Sequence, residues 1–198
     1  VEHCIDDVHI WLASNRLRLN PDKTEVMWCS SARRADTFQQ PSLSIGQSVI
    51  KPASVVRNLG YQLRADLSIT DQVSSVVRSS YYNIRQLRTI RSALTPTALR
   101  DAAYALVLSR LDYCNALFIN APTTELHRLQ MIINTAARVI SGRSKFDHIT
   151  DYVRDRLHWL PVTQRVQFKV CTLVYKALNG LAPKYLSDML ERTTVVER

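Results

Sequence analysis

Glycine is scarce in this chain, and long hydrophobic runs are missing. Four glycines and seven prolines among 198 residues exclude a collagen-like or low-complexity chain, and a hydrophobic share of 46% excludes a disordered one. No apolar run approaches the roughly 18 residues that a membrane span needs. The best stretch, 102–108, is interrupted by Tyr104. The composition therefore predicts a globular chain without a membrane partner, long enough for one domain or two small ones.

Cysteine is also scarce and forms no metal-binding or redox motif. The four cysteines, at positions 4, 29, 114 and 171, are far apart and include no Cys-x-x-Cys pair. We expect reduced thiols in the protein core and a cytoplasmic or nuclear location. The first residues are acidic where a signal peptide would be basic, and the sequence does not begin with Met. From this we expect a piece of a longer intracellular protein.

Acidic residues are few in the second part of the sequence. The formal net charge is +9, from 26 Lys and Arg against 17 Asp and Glu. Residues 67–198 carry most of this excess, and Arg78, Arg85, Arg88, Arg91 and Arg100 follow one another with no acidic residue between them. Arginine binds phosphate oxygens with a planar fork, so the pattern favours a nucleic-acid partner. The alternative is a solvated helical surface that only keeps the protein in solution.

The hydrophobic spacing changes near residue 66 and predicts an α+β fold in two parts. Residues 1–66 predict a helix over 4–18, a strand over 24–30, a hairpin over 42–50 that turns near Gly46, and a half-buried strand containing Leu59, Tyr61 and Leu63. Residues 67–198 predict mainly helices, because apolar residues recur there at intervals of three and four. The helices are expected over 70–93, 95–118, 124–141, 148–157 and 162–179, followed by a last turn or two from Pro183.

Few residues form a pattern that predicts catalysis. Asp6 and Asp7 resemble a metal-binding carboxylate pair, but they lie in the first turn of a predicted helix and no strand precedes them. His3 and Cys4 adjoin without a second pair of ligands. No nucleophile motif or glycine-rich phosphate loop is present. The residues alone therefore predict neither an active site nor a metal site.

Several residues are candidates for binding, each with a plainer alternative. Lys23 lies between a helix end and a strand, where it could reach a phosphate or be only solvated. Gly60 could mark the close approach of a ligand or a β-bulge. Tyr81 and Tyr82 lie among arginines and could stack on bases, although one of the two must face the core.

Six segments, in one order and spread over nearly the whole chain, resemble a known family. They are similar to the reverse transcriptases of LINE-type (non-LTR) retrotransposons, in the region that follows the catalytic strand turn. The segments are Trp11–Met27, Asn58–Tyr61, Ser109–Asn115, Asn134–Arg138, Leu157–Arg165 and Tyr175–Tyr185.

The resemblance implies a place for each part within a right-hand polymerase. Residues 1–66 would be a partial palm and residues 67–198 a helical thumb and C-terminal region. Lys23 matches the lysine of palm motif D, near the phosphates of the incoming nucleotide. Asn58, Leu59, Gly60 and Tyr61 match motif E, the primer grip. The helix over 70–93 would follow the template–primer backbone with Arg78, Arg85, Arg88 and Arg91.

The chain differs from the family in lacking the catalytic residues. The metal-binding aspartates of motif A and of the Tyr-Ala-Asp-Asp turn have no counterpart in this sequence, and Asp6–Asp7 is not that turn. We therefore expect no polymerisation and no cofactor in this chain, whereas the parent enzyme would use Mg²⁺. The expected partners are RNA and RNA–DNA hybrid. Two alternatives remain open: a helical protein-interaction module retained by the host, and a non-functional remnant of the element.

Overall fold

A computed structural model describes residues 2–30, 41–45 and 48–191 of the chain. The protein folds as two compact units, Val1–Gln72 and Val73–Arg198. The first combines a helix with short strands and the second is helical, so the predicted α+β class is confirmed. The predicted change of organisation after Asp66 falls inside the first unit, just before the long helix that opens the second.

The first unit begins with helix α1, Glu2–Ser14. The helix ends earlier than the predicted residue 18, because Arg16 takes a left-handed backbone conformation with φ 58°. Asp6 and Asp7 are exposed on this helix. They lie past its first turn, and not within it as the sequence predicted, because α1 begins at Glu2. Asn20 then caps a 3₁₀ turn, Pro21–Lys23, by accepting a hydrogen bond from the backbone N–H of Asp22 at 3.0 Å.

Two antiparallel hairpins follow in the first unit. Strand β1, Leu43–Ile45, pairs with β2, Ser48–Ile50, and Gly46, the predicted turn residue, lies outside the described residues. Strand β3, Val55–Asn58, pairs with β4, Tyr61–Arg64, in a register that places Asn58 opposite Tyr61. The strand predicted over 24–30 is wrong for the most part: only an isolated bridge between Val26 and Pro52 forms there.

The second unit is built from helices that begin and end at recognisable residues. Thr95 caps α3 by accepting from the Ala98 N–H, and Gly142 closes α5 with φ 75°. Proline precedes the first residue of α5, α6 and α7. The helices are α2, Thr70–Ile90; α3, Pro96–Ala103; α4, Ser109–Asp112; α5, Thr123–Ser141; α6, Val162–Leu178; and α7, Lys184–Ser187.

Two predicted helices of the second unit differ from the observed ones. The helix predicted over 95–118 stops at Asp112, because Cys114 adopts a left-handed conformation with φ 54° before a 3₁₀ turn, Asn115–Phe118. The helix predicted over 148–157 is a short turn whose larger part, Tyr152–Arg156, is π-helical. Another π-helical turn, Tyr104–Leu108, joins α3 to α4. The carbonyl of Leu106 in that turn accepts a hydrogen bond from the Asn83 side chain of α2 at 2.7 Å.

The core of the second unit is formed by the inward faces of α2 and α5 and by the segment from α3 to α4. Its fully buried side chains include Val73, Val107, Leu108, Leu129, Ile132 and Ile133. The cysteine prediction was partly wrong. All four thiols are free, but Cys4, Cys29 and Cys171 are exposed and Cys114 is half-buried, so they are not core residues.

Candidate nucleic-acid interface

The arginines predicted to bind nucleic acid lie on the solvent side of α2. Val73, Val76, Ile84 and Leu87 are buried on the opposite side of this helix. This apolar spacing of three and four residues fixes which face of the helix packs inward. The outward face carries Arg78, Arg85 and Arg88, and Arg91 follows in the 3₁₀ turn Arg91–Ala93. All four residues are exposed.

None of these four arginines forms an ion pair with another of the residues that the structure describes. Some arginines elsewhere in the second unit are paired. Arg154 binds both Asp151 and Asp155, and Arg100 binds Asp101. The positive charge of the α2 surface is therefore uncompensated locally, which is the electrostatic condition for attracting a polyanion.

The four arginines divide into two groups. Arg78 and Arg85 are two helical turns apart and share one side of α2 with Tyr82, which follows Arg78 by four residues. The Tyr82 side chain is 56% exposed, while Tyr81 is half-buried, so Tyr82 is the ring that is free to stack. Arg88 and Arg91, nearer the C-terminal end of the helix, line a cavity.

The cavity beside Arg88 and Arg91 collects cations that are distant in sequence. Its volume is about 430 Å³, and Arg138, Arg143 and Lys145 also line it. Sequence patterns did not connect these three residues with α2. Their one local signal is that they flank the glycine that ends α5, and their proximity to α2 depends on how the helices pack.

Lys23 and the predicted primer grip lie in the first unit. Lys23 is exposed at the end of the 3₁₀ turn Pro21–Lys23. Leu59 and Gly60 form the two-residue turn between β3 and β4, with φ values of 48° and 89°. Positive φ at both positions defines a type I′ turn. Within the described part of the chain, Lys23 forms no ion pair.

The hairpin corrects one sequence prediction. Leu59 was expected in a half-buried strand with Tyr61 and Leu63, but it lies at the tip and is 87% exposed. Tyr61 is buried, as its strand position requires. Gly60 is neither a bulge nor an interruption of a strand, since it supplies the second positive φ of the turn.

The segments that resemble downstream family motifs meet in the second unit. Arg165, from Leu157–Arg165, binds both carboxylate oxygens of Asp112, from Ser109–Asn115, at 2.8 and 3.0 Å. Asn134 accepts a hydrogen bond from the Gln130 amide at 3.0 Å, and the Gln130 carbonyl oxygen accepts from the Val162 N–H at 2.9 Å. The geometry gives these polar residues a structural role in joining α4, α5 and α6.

Among residues 2–30, 41–45 and 48–191, no group of three or more His, Cys, Asp or Glu side chains is placed to hold a metal ion. No helix in the same ranges is long and apolar enough to cross a membrane. Comparison of the chain with models of protein families, with curated proteins and with solved structures gives no match. Inference about function therefore depends on the residues and the geometry described above.

Proposed function

We propose that this chain is the end of the palm and the thumb of a LINE-type reverse transcriptase, and that it binds RNA or RNA–DNA hybrid without polymerising. The observation that carries the binding proposal is the set of four exposed, unpaired arginines along α2 and its 3₁₀ extension, at Arg78, Arg85, Arg88 and Arg91. The ordered series of resembling segments supports the family. The two lines of support are independent of each other.

The α2 surface would recognise the sugar–phosphate backbone and not the base sequence. Each guanidinium can donate two parallel hydrogen bonds to one phosphate. Tyr82, exposed between Arg78 and Arg85, offers a ring on which an unpaired base can stack. Such contacts carry little sequence information, so the binding should be non-specific and strongly dependent on salt.

In the same proposal the first unit serves the end of the primer. The Leu59–Gly60 turn presents its backbone to solvent, since Leu59 is 87% exposed and Gly60 is exposed as well. Lys23 would place a single positive charge near a phosphate. Because the aspartates of motif A and of the Tyr-Ala-Asp-Asp turn have no counterpart in the sequence, the proposal includes no catalytic step through Mg²⁺ in this chain.

The salt dependence of binding tests the proposal. A single-stranded RNA and an RNA–DNA hybrid should both bind the full chain, and log K should fall linearly with log salt, with a slope near −0.7 to −0.9 per phosphate neutralised. The quadruple variant Arg78→Ala, Arg85→Ala, Arg88→Ala and Arg91→Ala should show a clearly flatter slope.

A control must show that the flatter salt dependence comes from the α2 arginines and not from any loss of positive charge. Arg100 and Arg154 are each already paired with neighbouring aspartates. The double variant Arg100→Ala and Arg154→Ala should therefore leave the slope close to that of the parent chain. An unchanged slope in the α2 variant, or an equal change per arginine in both variants, would remove the thumb interface from consideration.

A second candidate function is favoured by a different observation. The C-terminal part of the second unit exposes large apolar side chains, including Phe168, Tyr175, Leu181, Tyr185 and Met189. An exposed set of this kind is typical of a surface that binds protein. The interaction-module alternative therefore predicts a partner whose binding is insensitive to salt and is lost in Phe168→Ser with Tyr175→Ser, while RNA binding is unchanged.

A further inference from the structure

Two side-chain contacts, one near each pair of corresponding ends, indicate that α2 and α5 run in the same direction. Near their first turns, Arg128 of α5 donates to the Ser74 hydroxyl of α2 at 3.1 Å. Near their last turns, the Arg91 guanidinium lies against Gly142, with Cζ 3.1 Å from the position of a Cβ at that glycine. Both C-terminal ends therefore border the cavity that Arg88, Arg91, Arg138, Arg143 and Lys145 line.

The simplest explanation for cations at this place is compensation of the two helix dipoles. A helix C-terminus carries about half of a negative elementary charge, so two ends supply about one. Among the residues that the structure describes, the cavity lining contains five cations and no acidic residue. The two helix dipoles therefore leave a charge of about +4 in the cavity uncompensated, so they do not explain why five cations gather there.

Asp147, close to these cations in sequence, forms no ion pair with them in the described ranges. The carboxylate of Asp147 accepts the Ser144 N–H at 2.7 Å, and its main-chain carbonyl accepts from Arg138 Nη2 at 3.2 Å. No ion pair joins any of the five lining cations to a residue in the described ranges. Arg138 Nε is also buried without a hydrogen-bond partner, so that guanidinium is incompletely satisfied.

Two of the cations are held in place before any ligand binds. Arg143 donates to the His148 carbonyl at 2.7 Å, and its guanidinium lies 5.4 Å from the centre of the Tyr152 ring. Arg91 is confined against Gly142, which has no side chain to displace it. Holding like charges together costs free energy, and an anion that bridges them recovers it.

From this geometry we infer that the cavity at the ends of α2 and α5 is a binding site for a chain of two or three adjacent phosphate groups. One monoanion would leave most of the positive charge uncompensated. A volume of about 430 Å³ accommodates a small ligand of several groups. The phosphates could belong to a free polyphosphate, such as the tail of a nucleotide, or to a nucleic-acid backbone. The inference goes beyond the proposed function because a free polyphosphate would bind even if RNA did not.

Calorimetric titration of the full chain with inorganic tripolyphosphate tests this site. Saturable binding with one site per chain is expected. Arg88→Gln with Lys145→Gln should weaken it about tenfold or more, because two charge-assisted contacts are lost. Both side chains are exposed and neither donates a hydrogen bond to another described residue, so their replacement should preserve folding. Arg88→Lys with Lys145→Arg keeps the charge and should retain most of the affinity.

The matched control removes two arginines from elsewhere in the second unit. Arg100→Gln with Arg154→Gln should weaken tripolyphosphate binding by less than about threefold, since neither residue lines the cavity. Equal weakening in the two double variants would mean that only net charge matters and would overturn the inference. Absence of saturable binding to the folded parent chain would overturn it as well.

Competition with RNA separates the two sources of phosphate. If tripolyphosphate displaces a bound RNA, and the cavity variant weakens both ligands, the site holds nucleic-acid backbone. If tripolyphosphate binds the cavity and RNA binding is unaffected, the site serves a free polyphosphate. RNA binding without tripolyphosphate binding refutes only this inference, whereas tripolyphosphate binding without RNA binding refutes only the proposed function.

Discussion

The guanidinium of Arg91 occupies the space beside Gly142 that a side chain at position 142 would need. Gly142 also ends α5 in a left-handed conformation, with φ 75°, and donates its N–H to the Arg138 carbonyl at 2.9 Å. One glycine thus ends a helix and leaves room for a cation at the edge of the basic cavity. The relationship links helix capping to the charge arrangement of the second unit.

Gly142→Ala should lower the free energy of unfolding by about 1–2 kcal/mol, because an L-residue is strained at this φ. It should also displace Arg91, whose guanidinium would collide with the new methyl group. Gly180→Ala is the matched control: its φ is 69°, but no atom lies within 4 Å of the added Cβ. In denaturant unfolding both variants should lose similar stability, while only Gly142→Ala should weaken tripolyphosphate binding. Equal ligand affinity in the two variants would contradict the proposed contact.

The pair formed by Asp112 and Arg165 should contribute strongly to the stability of the second unit. The side chains are 28% and 11% exposed, and removal of Asp112 would leave Arg165 largely buried without its partner. Asp112→Ala should therefore cost about 3 kcal/mol in the free energy of unfolding. Asp101→Ala, which breaks the exposed pair with Arg100, should cost less than about 1 kcal/mol. A similar cost in both variants would argue against this role for the buried pair.

Helices bounded by strong local signals were predicted closely. The expected helix over 124–141 is α5, Thr123–Ser141, because Pro122 precedes it and Gly142 ends it. The expected helix over 162–179 is α6, Val162–Leu178, for a similar reason at Pro161. Helix start and stop signals such as these prolines and Gly142 act within a few residues, so they can be recognised without knowledge of packing.

Other features depend on contacts that no local pattern records. Cys114 adopts a positive φ although it is neither glycine nor asparagine, the residues that usually take this conformation. The sequence therefore predicted a helix that continues past its observed end at Asp112. The alternating apolar residues Leu59, Tyr61 and Leu63 predicted one continuous strand, but the chain turns at Leu59 and Gly60, and the second strand begins at Tyr61. The basic cavity needed α2 and α5 to lie in parallel, which brings Arg88 and Arg143 together across the fold. The arginines on α2 could be predicted, but their division into two groups could not.

Leu59→Asn should stabilise the hairpin of β3 and β4. Leu59 has φ 48°, which is costly for a leucine, whereas asparagine followed by Gly60 is the preferred sequence of a type I′ turn. We expect a gain of about 0.5–1 kcal/mol, measured as slower amide hydrogen exchange in Val55–Arg64. Val49→Asn, an exposed site in the other hairpin without a positive φ, should give no gain. Faster exchange in Leu59→Asn would show that the leucine side chain stabilises the hairpin more than its positive φ destabilises it.

Asp66 should make the first unit less stable in acid. The Ser68 N–H donates to its carboxylate at 2.9 Å and lowers the pKa of Asp66, and Arg64 Nε, at 3.3 Å, acts in the same direction. Because the folded pKa is the lower one, this stabilisation is complete above the unfolded pKa of about 3.9 and is lost as the pH falls through the folded pKa. The Ser68 amide chemical shift should therefore titrate with a midpoint below 3.9, the usual value for aspartate. Asp66→Asn should abolish that titration and reduce the acid sensitivity of amide exchange in β3 and β4. A midpoint at or above 3.9 in the parent chain would mean that burial of the Asp66 carboxylate outweighs its hydrogen bonds.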